Sequence, residues 1–206
     1  MQMSPITVAI IVAAMFSVVF VLPILKRRKD IKIISQYSKQ NGWEFVQRDY
    51  GFEIAPERND DWYVFFKKER PTPQTYREHI YWTSNLIQIQ TSLIVVPKIS
   101  SDFLADLTLR ALMMQAPESY NKEMSIFSLD SQEFDSKYTC WTSDERIARN
   151  FLDDNVQKIL IEHFAKNMQL ICFARSIEIR QTKPLQITMI PNLIKYGSAI
   201  LDLKRR

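Results

Sequence analysis

Two cysteines and two histidines are all that this chain of 206 residues offers for thiolate or imidazole chemistry. Cys140 and Cys172 stand in apolar, strand-like surroundings, YTCWT and LICFA, where a thiol is ordinarily inert. Neither belongs to a C-x-x-C pair or to a zinc-ligand spacing. His163 falls on a helical stripe with Val156, Ile159, Leu160 and Phe164, the setting of a satisfied core histidine more than of a general base. His79 lies in a strand far away in the chain. Glu162 beside His163 is not a working pair, because neighbouring helical residues point about 100° apart. A Cys140 or Cys172 nucleophile served by His163 is the one enzymatic arrangement these residues permit.

Glycine is almost as scarce as histidine. Gly42, Gly51 and Gly197 are the only three, so neither G-x-x-x-x-G-K nor G-x-G-x-x-G can be formed and no phosphate-cradling loop of the usual form is expected. Asp144-Glu145 and Asp153-Asp154 are the acidic pairs; both stand where helices begin, and capping and dipole compensation account for them. No metal site and no cofactor follow from these residues, and no catalytic residue is assigned.

The formal net charge is +4. Seven of the basic residues stand in two clusters: Lys26, Arg27, Arg28 and Lys29, and Lys204, Arg205 and Arg206. Without them 20 basic residues face 23 acidic ones, a net of −3 for the body. A nucleic-acid face, which needs clustered cations, is therefore unsupported. The two clusters are instead the expected contacts with anionic lipid.

Those clusters point to the element expected to organise the chain. Ile6 to Leu25, ITVAIIVAAMFSVVFVLPIL, is uncharged and long enough at about 1.5 Å per residue to cross the roughly 30 Å of a bilayer core. With all the nearby cations on one side, it predicts a single-pass span at the inner membrane with the N-terminus outside. On this reading residues 1–29 are anchor and basic stop, and 30–206 form one cytoplasmic α+β domain. Ile31, Ile34 and Tyr37 predict a helix ending at Asn41-Gly42. Strands are expected at Trp43–Arg48, Trp62–Lys67, between His79 and Val96 with LIQIQT in the second of two, near Met124–Leu129, at Tyr138–Trp141, Met168–Ala174, Ser176–Gln181 and Leu185–Ile190. Between Ser101 and Pro117 a helix carries Phe103, Leu104, Leu107, Ala111 and Met114 as one stripe. Two more helices follow Ser143 and Asp154, and a last one starts at Pro191. Because strands and helices come in runs, a mainly antiparallel sheet packed by helices is predicted.

The order of parts, with ISQYSKQNGWEFVQRD and then SQEFDSKYTCWTSDERIARNFLDDNVQKIL, resembles bacterial membrane-anchored proteins classed as domains of unknown function. The resemblance is carried by Gly42-Trp43, Phe134-Asp135, and Arg146 with Arg149. It implies an anchored domain and transfers no catalytic residue. The function expected from the sequence is a non-enzymatic scaffold or regulatory module that binds a protein partner at the membrane. The alternatives are a membrane-associated enzyme using Cys140 or His163, and a module sensing anionic lipid. Trp43, Trp62, Trp82 and Trp141 are the candidate partner-binding residues, since indoles serve interfaces as well as cores.

Overall fold

The structure is a computed structural model that describes residues 18, 21–49, 51–57, 61–72, 75–87, 89–114, 123–173, 176–182 and 186–205. The first helix, α1 (Leu22–Gln40), ends where Asn41 returns its side-chain amide to the Tyr37 carbonyl at 2.8 Å and Gly42 takes a positive φ of 69°. That φ is one glycine adopts without the Cβ penalty of other residues, so the chain can reverse at once into a strand. Four strands follow as a meander: β1 (Trp43–Arg48), β2 (Gly51–Pro56), β3 (Tyr63–Thr72) and β4 (Thr75–Ser84). After β5 (Ser92–Pro97) come α2 (Asp102–Met113), β6 (Ser125–Phe127), α3 (Gln132–Lys137) and β7 (Tyr138–Thr142). The chain closes with α4 (Glu145–Phe151), α5 (Asp154–His163), β8 (Met168–Phe173), β9 (Ser176–Gln181), a 3-10 turn (Ile187–Met189) and α6 (Ile190–Lys204).

Among the described residues the strands form one antiparallel sheet in the order β1-β2-β3-β4-β9-β8-β5-β7-β6. Strand alternation sends Phe52, Ile54, Val64, Phe66, Ile80, Trp82, Ile179, Leu170, Val95 and Cys140 to one face, where they make the main core with Ile34, Leu160, Leu193 and Ile200 from the helices. The Tyr138 hydroxyl donates to the Leu160 carbonyl at 2.6 Å and pins α5 over β7. On α6, a Cβ added at Gly197 would lie 2.2 Å from the Trp82 ring, so this helix docks with its backbone directly on the indole. Asp144 and Asp153 cap α4 and α5 by accepting from the amides of Ile147 and Val156, each at 3.0 Å.

The antiparallel sheet with its helices agrees with the predicted fold class, but the N-terminal transmembrane helix does not stand. Among the described residues no helix is long and apolar enough to cross a membrane. Most of Ile6–Leu25 lies outside those residues. The helix that is described starts at Leu22 and runs unbroken through Lys26, Arg27, Arg28, Lys29 and Asp30, a charge density incompatible with a span. Its far half packs on the domain through the buried Ile34 and Ser38.

Three smaller corrections have topological causes. The described residues of LIQIQT, all but Gln88, form no strand, although Ile87 and Ile89 are buried. Strands β4 and β5 are separated by β9 and β8, so their connection must cross three strand spacings, about 14 Å, instead of turning back as a hairpin. Leu185–Ile190 yields the 3-10 turn and the start of α6, residues 183–185 lying outside the described set. Between the strands predicted at Trp43–Arg48 and Trp62–Lys67, where none is predicted, the chain forms β2, whose Gly51 is where a Cβ would collide with the Phe66 carbonyl on β3.

Candidate functional site

The second face of the sheet carries only one of these helices. Helix α2 sits there on Ala105 and Leu112, buried against Ile94, Val96, Trp141, Ile171 and Phe173, with Leu109 and Met113 completing the contact. At 100° per residue these positions share one side of the helix, and the predicted stripe of Phe103, Leu104, Leu107, Ala111 and Met114 occupies the opposite side. That stripe is turned outward: Phe103 is 70%, Leu104 51%, Leu107 47% and Met114 86% exposed. Helix α2 has apolar residues on two sides, separated along one flank by Asp102, Asp106 and Arg110, and the two apolar sides compete for the sheet. The small Ala105 wins for the side that lets the backbone approach.

Between the outward stripe and the sheet lies a cleft of about 720 Å³, a volume typical of small-molecule sites. Leu104, Leu107, Ala111 and Met114 line one wall. The floor is polar, with His79 from β4, Gln169 from β8, and Arg180 from β9 followed by Thr182. Register explains the floor: Tyr81, Arg180 and Gln169 stand opposite one another across β4, β9 and β8, on the face away from the main core. Phe65 extends the row on β3, its ring stacked on Tyr81 at 5.2 Å. Both Nε and an Nη of Arg180 hold the Glu178 carboxylate, at 2.8 and 2.7 Å, with each side chain about one-fifth exposed. The pair presents polar edges while its opposite charges cancel. Glu78, at the rim, accepts from Arg27 of α1 at 3.0 Å. Such a cleft can take a ligand with an apolar segment along α2 and an uncharged or hydrogen-bonding end on the floor.

The residues singled out in the sequence are distributed elsewhere. Lys26, Arg28 and Lys29 are exposed on α1, whereas the Arg27 guanidinium turns inward over the Phe66 ring at 4.8 Å. Lys204 donates to Asp153 at 2.7 Å and to the Asn150 carbonyl at 3.3 Å, and Arg205 pairs with Asp61 at 2.8 Å. Arg206 lies outside the described residues. Trp82, Trp141 and Trp62 are buried, and Trp43, half-buried, meets Tyr37 and Trp62 edge-on at 5.6 and 5.3 Å.

Cys140 and Cys172 are both buried free thiols. They pair with Val95 and Leu93 on opposite sides of β5, which puts their backbones on the order of 10 Å apart, beyond disulfide reach. Burial first, and the neighbouring Asp135 second, push the Cys140 thiol up to about 12, and burial raises Cys172 as well. His163 stacks flat on Tyr196 of α6 at 4.9 Å, with its Nε2 3.6 Å from Glu162. Thiol and imidazole thus have separate surroundings. Among the described residues no group of three or more His, Cys, Asp or Glu could hold a metal ion.

No family model and no curated protein matches the chain. Among solved structures, the crystal structure of the mycobacterial trehalose monomycolate transport factor A, TtfA, matches with a TM-score of 0.53 over 85% of this chain and 94% of that one, at 6% sequence identity. At that identity the likeness is one of fold.

Proposed function

We propose that this protein binds an amphiphilic, lipid-like ligand in the cleft between α2 and the sheet. The observation that carries this reading is the outward apolar row of α2 standing over a polar, charge-balanced floor. Leaving Leu104, Leu107 and Met114 about half or more exposed is unfavourable by roughly 25 cal/mol for each Å² of apolar surface that a ligand would cover. A guest with an acyl chain recovers that term, and its polar end finds Gln169, Arg180 and Thr182 within the same space. The fold likeness supports the same direction, since the matched protein is a trehalose monomycolate transport factor. The buried, high-pKa thiols give no comparable support to a cysteine enzyme.

Titration of the full chain with a fluorescent fatty acid tests the proposal. Saturable binding is expected, and replacing both Leu104 and Leu107 with Asp should weaken it at least tenfold while leaving the circular dichroism unchanged. Undiminished binding by that variant would place the ligand elsewhere. If no acyl probe binds and the same substitutions release a co-purifying protein, the scaffold module expected from the sequence takes precedence.

A further inference from the structure

We infer that α1 carries a second site, a basic groove that seats the protein on an anionic phospholipid surface. Arg28, Lys32 and Lys39 recur at the spacing of one helix side, and with Ser35 and Gln36 from the same helix and Gln47 from β1 they line a groove of about 470 Å³. No carboxylate pairs with these three cations among the described residues, whereas Arg27 and Arg48 are matched by Glu78 and Glu53. The single acid of α1, Asp30, is two residues from Arg28 and so points about 200° round the helix, away from the groove.

Charge alone would suit any polyanion, and the residues before the cations decide among them. Leu22, Ile24 and Leu25 are exposed in the first turn of α1, directly ahead of Lys26. An apolar turn followed by a cationic row matches the order of layers met on entering a bilayer surface, acyl region first and phosphates next, where basic residues beside an apolar segment gain from anionic lipid. The position of α1 fits as well. Arg27 is tied to Glu78, which also lines the rim of the α2 cleft, so the cleft and the start of the basic helix lie at the same end of the sheet. The two sites are nevertheless on opposite faces and share no lining residue among those named here.

Flotation of the full chain with vesicles tests this inference. Neutral phosphatidylcholine vesicles are compared with vesicles containing about a third phosphatidylglycerol, at low and high salt. Binding should favour the anionic vesicles and fall as the Debye length shrinks from about 10 Å at 0.1 M salt to about 3 Å at 1 M. Each cation should contribute roughly fivefold, so Arg28→Gln, Lys32→Gln and Lys39→Gln together should reduce the anionic preference on the order of a hundredfold. Arg28→Lys with Lys32→Arg should retain it. Equal binding to both vesicle types, or a triple variant that keeps the full preference, overturns the inference. The Leu104→Asp, Leu107→Asp variant should keep the anionic preference, so failure at one site is distinguishable from failure at the other.

Discussion

The face of the sheet beneath α1 and α3–α6 and the face beneath α2 are made by the same strands, yet they are finished differently. On the first, Trp82, Phe134, Leu160 and Ile200 are fully covered, and α6 comes so close that only a glycine fits against the indole. On the second, α2 covers the strands around β5 and leaves the row from Phe65 through Tyr81 to Arg180 and Gln169 half-buried. Close packing is where stability resides, because interiors at crystal-like density lose contacts with any change of volume. The incompletely covered face is where a ligand can be accommodated without unfolding anything.

Substitutions and chemistry can break or sharpen that contrast. The largest effect concerns reactivity on the packed face. With the Cys140 thiol raised from 9.0 to about 12, its thiolate fraction at neutral pH falls on the order of a thousandfold, so iodoacetamide should label it in urea and hardly at all in the native protein. The sign for stability follows: the raised thiol contributes fully below pH 9 and its contribution is lost as pH climbs towards 12. Rapid native-state labelling would show that the packed face opens. Next in size, Trp82→Ala should cost about 4 kcal/mol in urea denaturation and Gly197→Ala about 2 kcal/mol, one by a cavity and the other by overpacking. Leu107→Ala, on the open side, should stay within about 0.5 kcal/mol. A comparable loss at Leu107 would erase the distinction between the faces.

Smaller effects lie at the helix ends. Burial tends to raise the Asp153 carboxyl, but the Lys204 ammonium and the amides of Val156 and Asn155 together hold it below its ordinary value. Its contribution is therefore present above the usual carboxylate range and lost as pH falls through the lowered one. Asp153→Ala should cost about 1 kcal/mol at neutral pH, mostly as a lost cap, and should flatten the acid limb of the stability profile. Smallest of all, Arg110→Ala removes an exposed pair with Asp106 on α2 and should change stability by less than about 0.5 kcal/mol.

How much of this was legible beforehand depended on whether local pattern or long-range placement decided the outcome. Helices with acidic caps, such as those begun by Asp144 and Asp153, and strands with strict alternation, such as SIEIRQ, announce themselves. Helix α2 was equally visible, but helical spacing identifies a stripe without saying which side the sheet accepts. Here the side with Ala105 was accepted and the longer stripe left outward. Helix α3 escaped because six residues with the single buried Phe134 have no period to read. The cleft floor could not be foreseen, since Gln169 and Arg180 face each other across the β8–β9 hairpin but His79 joins them only through the pairing of β4 with β9, about 90 to 100 residues away in the chain. Apolar residues on two sides of α2, with Asp102, Asp106 and Arg110 between them, were the available signal that one side would be left off the sheet.

The strand order also sets a schedule. Because β9 and β8 lie between β4 and β5, the first half of the protein leaves a ribosome with two unpaired edges facing a gap that the chain cannot yet fill. Closure waits for residues near the C-terminus, so this sheet combines late, non-local pairing with a period of exposed strand edges. Expression yield should therefore respond to synthesis rate and chaperone supply more than to native stability, and chains truncated before Met168 should aggregate instead of folding into a smaller sheet.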